Sequence, residues 1–259
     1  MTKKGRQGRS TRGRPAPPRP GTRAPRQRSR SRFVRNASVA LSLAAVLVSV
    51  ALWQSGRGTG GVPASLPLAP ASTLGRLSPP PDPGPLGPED VPVPSGPPLA
   101  VTGSLAAGSS IDGISCAPLE QLVYHIHVHL TVFVAGAQRQ IPGGVGIAPP
   151  LQIQSTPYGP FAAGGACFSW LHTHAADGII HVESPVQRTY TLGEFFDVWK
   201  QPLGPDQVGS ATGRVTAFFD GHRYLGNPRS MPLLAHAQIQ LDVGRPLVAP
   251  ESIRFPPGL

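Results

Sequence analysis

Residues 124–134 read Tyr124-His125-Ile126-His127-Val128-His129-Leu130-Thr131-Val132-Phe133-Val134. Apolar and polar side chains alternate with period two. Tyr124, Ile126, Val128, Leu130, Val132 and Val134 fall on one face, and His125, His127, His129 and Thr131 on the other. Successive side chains of a strand point to opposite faces, so this is one long strand with a single buried side. Outward from it, Ala135-Gly136 begins a turn, and residues 138–141 are expected to pair back before Pro142-Gly143-Gly144 stops them. Residues 151–154 form a weak strand and 155–165 a loop.

A second His-bearing unit follows. Residues 167–171 lead into His172-Thr173-His174, then Asp177-Gly178, then Ile179-Ile180-His181-Val182-Glu183. Asp-Gly between apolar runs signals a two-residue type I′ hairpin. With that loop, His174 faces His181 and His172 faces Glu183, all four on one side, while Thr173, Ala175, Ile180 and Val182 turn to a core. Thr191-Leu192-Gly193-Glu194 is a capping box, and Leu192, Phe195, Phe196 and Trp199 form a helical stripe. Residues 214–219 and 222–224 around Asp220-Gly221 read as another hairpin, and 237–243 as a last strand. The class is mostly β (α+β): a small antiparallel sheet domain with one short packed helix. A two-layer, β-grasp-like arrangement is preferred over a closed sandwich.

The net charge of +10 would suggest nucleic acid if it were spread over the domain. It is not: 13 of the 23 Lys and Arg lie in residues 1–35, which hold no acid, leaving 10 cations against 13 acids. Residues 1–36 read as a disordered basic cytoplasmic tail, and nucleic acid is not expected as a partner. Residues 37–53, ASVALSLAAVLVSVALW, carry no charge and follow Arg30, Arg32 and Arg35. They are expected to be a transmembrane signal-anchor, N-terminus inside, in preference to a cleaved signal peptide ending in Ser49 and Ala51. The expected location is the cell membrane, single-pass, with the C-terminal domain extracytoplasmic. Residues 54–110, rich in the chain's 33 prolines and 31 glycines, read as a polyproline linker. The His-rich extracytoplasmic domain is then 111–259.

All eight histidines lie between 125 and 236. Imidazoles at i, i+2 and i+4 of a strand stand ~6.5–7 Å apart, and a neighbouring strand can add the remaining donors of a metal site. The candidate ligands are His125, His127, His129, His172, His174, His181, Glu183 and His236. His222, after an Asp-Gly turn, reads as structural, and Asp177 belongs to its turn. Glu183 could serve as ligand, base or partner orienting an imidazole. Imidazole-rich, thiolate-poor ligation suits copper or zinc, and since only neutral imidazole ligates, affinity should fall below about pH 6.5. Cys116 and Cys167 are the only cysteines. In an exported chain they are expected to pair, closing a ~50-residue loop worth about 4 kcal/mol.

The segments Tyr124–Leu130, Trp170-Leu171-His172-Thr173-His174, 178–183 and 191–199 resemble the hallmark segments of a group of bacterial secreted or membrane-anchored His-rich proteins. The resemblance spans roughly residues 112–259 and implies a domain boundary, with no established activity. Type I copper, cupin, metallo-β-lactamase and amidohydrolase patterns do not fit the His, Cys and Glu spacings or the length. Three readings stay open: a Cu or Zn binding module for capture, storage or delivery; a three-His metalloenzyme with Glu183 as general base; and a metal-free, pH-sensing domain that binds cell wall or another exported protein.

Overall fold

The long alternating strand is the centre of the molecule. In the computed structural model, which describes residues 65–259, Tyr124–Val134 is one of eight strands of a mixed sheet. We number these strands in chain order: β1 Leu68–Ala69, β2 Tyr124–Val134, β3 Ala137–Arg139, β4 Leu171–His172, β5 Ile179–Ser184, β6 Val215–Phe219, β7 His222–Tyr224 and β8 Gln238–Val243. The spatial order is β1-β7-β6-β8-β2-β5-β4, and β3 folds back on β2. The tail, the expected membrane span and residues 54–64 lie outside the described residues. Among the described residues no helix is long and apolar enough to cross a membrane.

All pairings in this sheet are antiparallel except β2–β8, where Gln238 to Val243 run parallel to His129 to Val134. Alternation alone could not distinguish this, because the period of two is the same in either direction. The predicted β6–β7 hairpin forms, with Asp220 at φ 47° and Gly221 at φ 78°, the left-handed pair a type I′ turn requires. Two departures lie nearby. Residues 155–165, expected as a loop, contain a strand, Gly159–Gly164, paired with Gln152–Thr156. The turn joining β4 to β5 is also longer than two residues.

The apolar face of β2 receives helix α1, Leu192–Trp199, whose stripe Leu192, Phe195, Phe196 and Trp199 is fully buried. Each such side chain contributes ~1.5–3 kcal/mol by leaving water. Thr191 and Glu194 close the capping box: the Thr191 hydroxyl accepts from Glu194 N–H, and the Glu194 carboxylate accepts from Thr191 N–H at 2.7 Å. The disulfide Cys116–Cys167 forms, linking the short strand Ile114–Ala117 to the residue just before its partner strand Phe168–Ser169.

The polar face of β2 is not open, contrary to the expectation of one buried side. His127 through Phe133 are buried without interruption. Residues 65–110, read from sequence as the outer part of a linker, are packed into the same compact unit. Val91, Leu99 and Leu105 are core residues, Leu68–Ala69 pairs with β7, and Gln140 donates its amide to Pro94 O. Proline lacks an N–H and cannot extend a ladder, so residues 80–94 cover the histidine face without joining the sheet as a strand, while residues 101–103 pack against Trp199 of the helix. The chain after β8 completes this irregular layer. Asp242 accepts from Val248 N–H, and Gln240 accepts from Glu251 N–H. The described residues therefore form three layers, and the histidine face lies beneath the third.

Candidate metal centre

Register brings the imidazoles together. In β2–β5, His127 is opposite His181 and His125 is opposite Glu183. In β5–β4, His181 is opposite His172. The expected hairpin placed His174 there, so the register differs by two residues. The physical cause is that the chain leaves β5 after His172 and takes other partners. Thr173 N–H donates to Val145 O, and Ala162 N–H donates to His174 O. Asp177 Oδ1 then accepts from Ile179 N–H to turn the chain back. A two-residue shift preserves the face, and the polar side chains still converge.

The back nitrogens of two imidazoles are fixed by main chain. His172 Nδ1–H donates to Ser169 O at 2.9 Å, and His174 Nδ1–H donates to Ala162 O at 2.7 Å. Phe161 stacks on the His174 ring at 4.7 Å. Both Nε2 atoms then carry lone pairs, and they face each other at 3.2 Å. Gly146, at φ 76°, permits the close approach behind His172, since a Cβ there would lie 2.3 Å from Leu171 O. Two opposed lone pairs need a cation or a proton between them. A proton is disfavoured, because burial pushes both imidazoles below their ordinary range. With metal–nitrogen bonds of ~2.0–2.1 Å, neighbouring ligands lie about 2.9–3.4 Å apart, the spacing observed.

His181 stands in the middle. Its Nε2 is 2.7 Å from Glu89 Oε1, and its Nδ1 is 3.4 Å from Glu183 Oε1. Burial works against its charge, but the two carboxylates prevail and raise it to about 9. On β2, His125 Nε2 is 3.0 Å from His127 Nε2 and 3.2 Å from Glu183 Oε1. Burial first, then the neighbouring His181, depresses His127 to about 3.

Donor atoms of His172, His174, His181 and Glu183 lie within 4.8 Å of one another, and so do those of His125, His127 and His181. These groups can hold a metal ion. Four buried atoms without hydrogen-bond partners lie in or beside them: His181 Nδ1, Glu183 Oε2, Glu89 Oε2 and Asp177 Oδ2. Leaving a buried polar atom unpaired costs about 1–3 kcal/mol, which an ion bound by them would offset.

Two predicted ligands are placed elsewhere. His129 shares the face but lies opposite Ile179, and its Nε2 is 3.1 Å from Asp177 O, in a buried setting that lowers it to about 4. His236 stacks on Phe255 with Nε2 2.9 Å from Leu259 O. His222 is exposed in its turn, with Nδ1 2.9 Å from Asp220 O. Conversely, sequence reasoning missed Glu89 and Glu120, whose Oε1 is 3.6 Å from His174 Nε2. The only signal for Glu89 was an acidic pair, Glu89-Asp90, amid prolines. Asp177 does more than turn the chain: burial, then the charge of Glu89, raises its carboxyl well above the usual range. Comparison with protein-family models, curated proteins and solved structures found no match.

Proposed function

We propose that this is a membrane-tethered extracytoplasmic protein that binds a transition-metal ion, zinc or copper, through His172, His174, His181 and Glu183. The observation that carries the reading is the pair of Nε2 lone pairs opposed at 3.2 Å, each imidazole held from behind by a carbonyl. Back-bonded imidazoles with fixed tautomers are how proteins preset histidine ligands. Three nitrogens and one carboxylate complete a tetrahedral set for Zn(II) and also suit Cu(II). Thiolate ligation is closed off, because both cysteines are in the disulfide.

Four protein ligands favour a binder over an enzyme, and the role that fits is capture, storage or delivery of the ion outside the cytoplasm. The tether in this proposal is residues 37–53, supported by their uncharged composition and the arginines before them.

The test is metal analysis of the full-length chain purified without a His tag, with Zn(II) affinity measured by chelator competition. His174→Ala should weaken binding tenfold or more, and His222→Ala less than twofold. Equal, small effects from both would sink the reading.

A further inference from the structure

The metal-binding reading above accounts for one ion, and the geometry points to two. On that reading as its premise, we infer that the centre is dinuclear: His172, His174, His181 and Glu183 hold one ion, and His125 and His127 hold a second beside it.

All donors of a single ion lie within about 4.2 Å of one another, twice a ~2.1 Å bond. The six candidate donors do not meet even a looser limit together. They fall into two sets, each within 4.8 Å, with His181 common to both. Each set contains its own pair of Nε2 atoms at ligand–ligand spacing, 3.2 Å in one and 3.0 Å in the other. Glu183 turns its two oxygens in different directions: Oε1 lies 3.2 Å from His125 Nε2, and Oε2 lies 3.9 Å from His172 Nε2. Glu183 belongs to the first set and touches the rim histidine of the second, so the two ions are close neighbours. His181, edge-on to both His127 and His174 at 4.6 Å, is the residue common to both sets.

The two positions differ in access. His172 is 0 % exposed, whereas His125 is 36 % exposed at the rim. The His125–His127 ion is therefore the exchangeable one and the His172–His174 ion the retained one.

The full-length chain, loaded with Zn(II) and gel-filtered, should carry two ions per chain, one removed by chelator at least tenfold faster than the other. His127→Ala, or the milder His125→Ala at the rim, should leave one ion, the slow one. One ion per wild-type chain would overturn the dinuclear centre and leave the proposed function standing. No ion would overturn both. Two ions retained in folded His125→Ala and His127→Ala chains would place the second ion elsewhere and also defeat the inference. Loading with Cu(II) gives an independent readout. A half-field electron paramagnetic resonance signal should be present in the wild type and lost in either variant.

Discussion

Glu89 and His181, 92 residues apart in the chain, meet with Oε1 2.7 Å from Nε2, both side chains buried. The contact fastens the proline-rich cover to the middle strand of the histidine face. Removing one member of a buried charged pair leaves the other without compensation. Glu89→Ala should therefore destabilise the metal-free chain by about 2 kcal/mol, the scale for losing a charge-assisted hydrogen bond. Urea denaturation would measure it, and limited proteolysis should show new cleavage within residues 80–94. An unchanged midpoint and cleavage pattern would mean that the cover is held by its apolar contacts alone.

Metal binding should release a proton. With His181 raised to about 9, the metal-free centre carries a proton there at pH 7.5. Ligation through Nδ1 expels it. Calorimetry of Zn(II) binding in buffers of different ionisation enthalpy should show release of about one proton, and affinity should rise about tenfold per pH unit from 7 toward 9. The sequence-level expectation of a break near 6.5 is displaced, because burial has already neutralised His127 and His174. A heat independent of buffer would remove His181 from the ligand set.

The metal-free chain should weaken in mild acid. Burial holds His127 at about 3 and His129 at about 4, and lowers His172 and His174 as well. Their folded values lie below the unfolded value of ~6.5, so the unfolded chain takes up protons that the folded chain refuses. Their contribution is complete above pH 6.5 and is lost as pH falls toward 4. His181 acts oppositely: its contribution is complete below 6.5 and fades as pH rises through about 9. Stability should peak near neutrality and drop by at least about 2 kcal/mol between pH 7 and 5, since one such histidine supplies that much. Denaturation midpoints at the two pH values, after chelator treatment, are the check.

A fragment beginning at residue 111, the boundary that composition suggests, should fold poorly. It lacks β1, Glu89 and the core residues Val91, Leu99 and Leu105. A fragment beginning at 65 should have the longer-lived fold under protease. Comparable half-lives for the two would show that the cover is dispensable.

That boundary shows where legibility ended. The β2 alternation, the capping box at Thr191 and the Asp220-Gly221 turn are local, each carried by a few consecutive residues. The histidine face was legible because parity survives error: shifting β4 by two residues relative to β5 still leaves His172 and His181 on the same side. The contributions of Glu89 and Glu120 were not legible, because they come from segments without periodicity. Polyproline conformation looks the same in sequence whether water or a sheet lies against it. His129 obeyed the alternation and still fell outside both donor sets, because its cross-strand neighbour is Ile179 rather than a histidine. Alternation assigns a side chain to a face; what it meets depends on the strand next door.

The cover over the histidine face also has a consequence for time. Glu89 of that cover bonds His181, a member of the proposed ligand set, so release of a bound ion would be coupled to opening of this contact. A bound ion's residence would then depend on how often a strap of prolines opens as well as on the strength of the metal–nitrogen bonds.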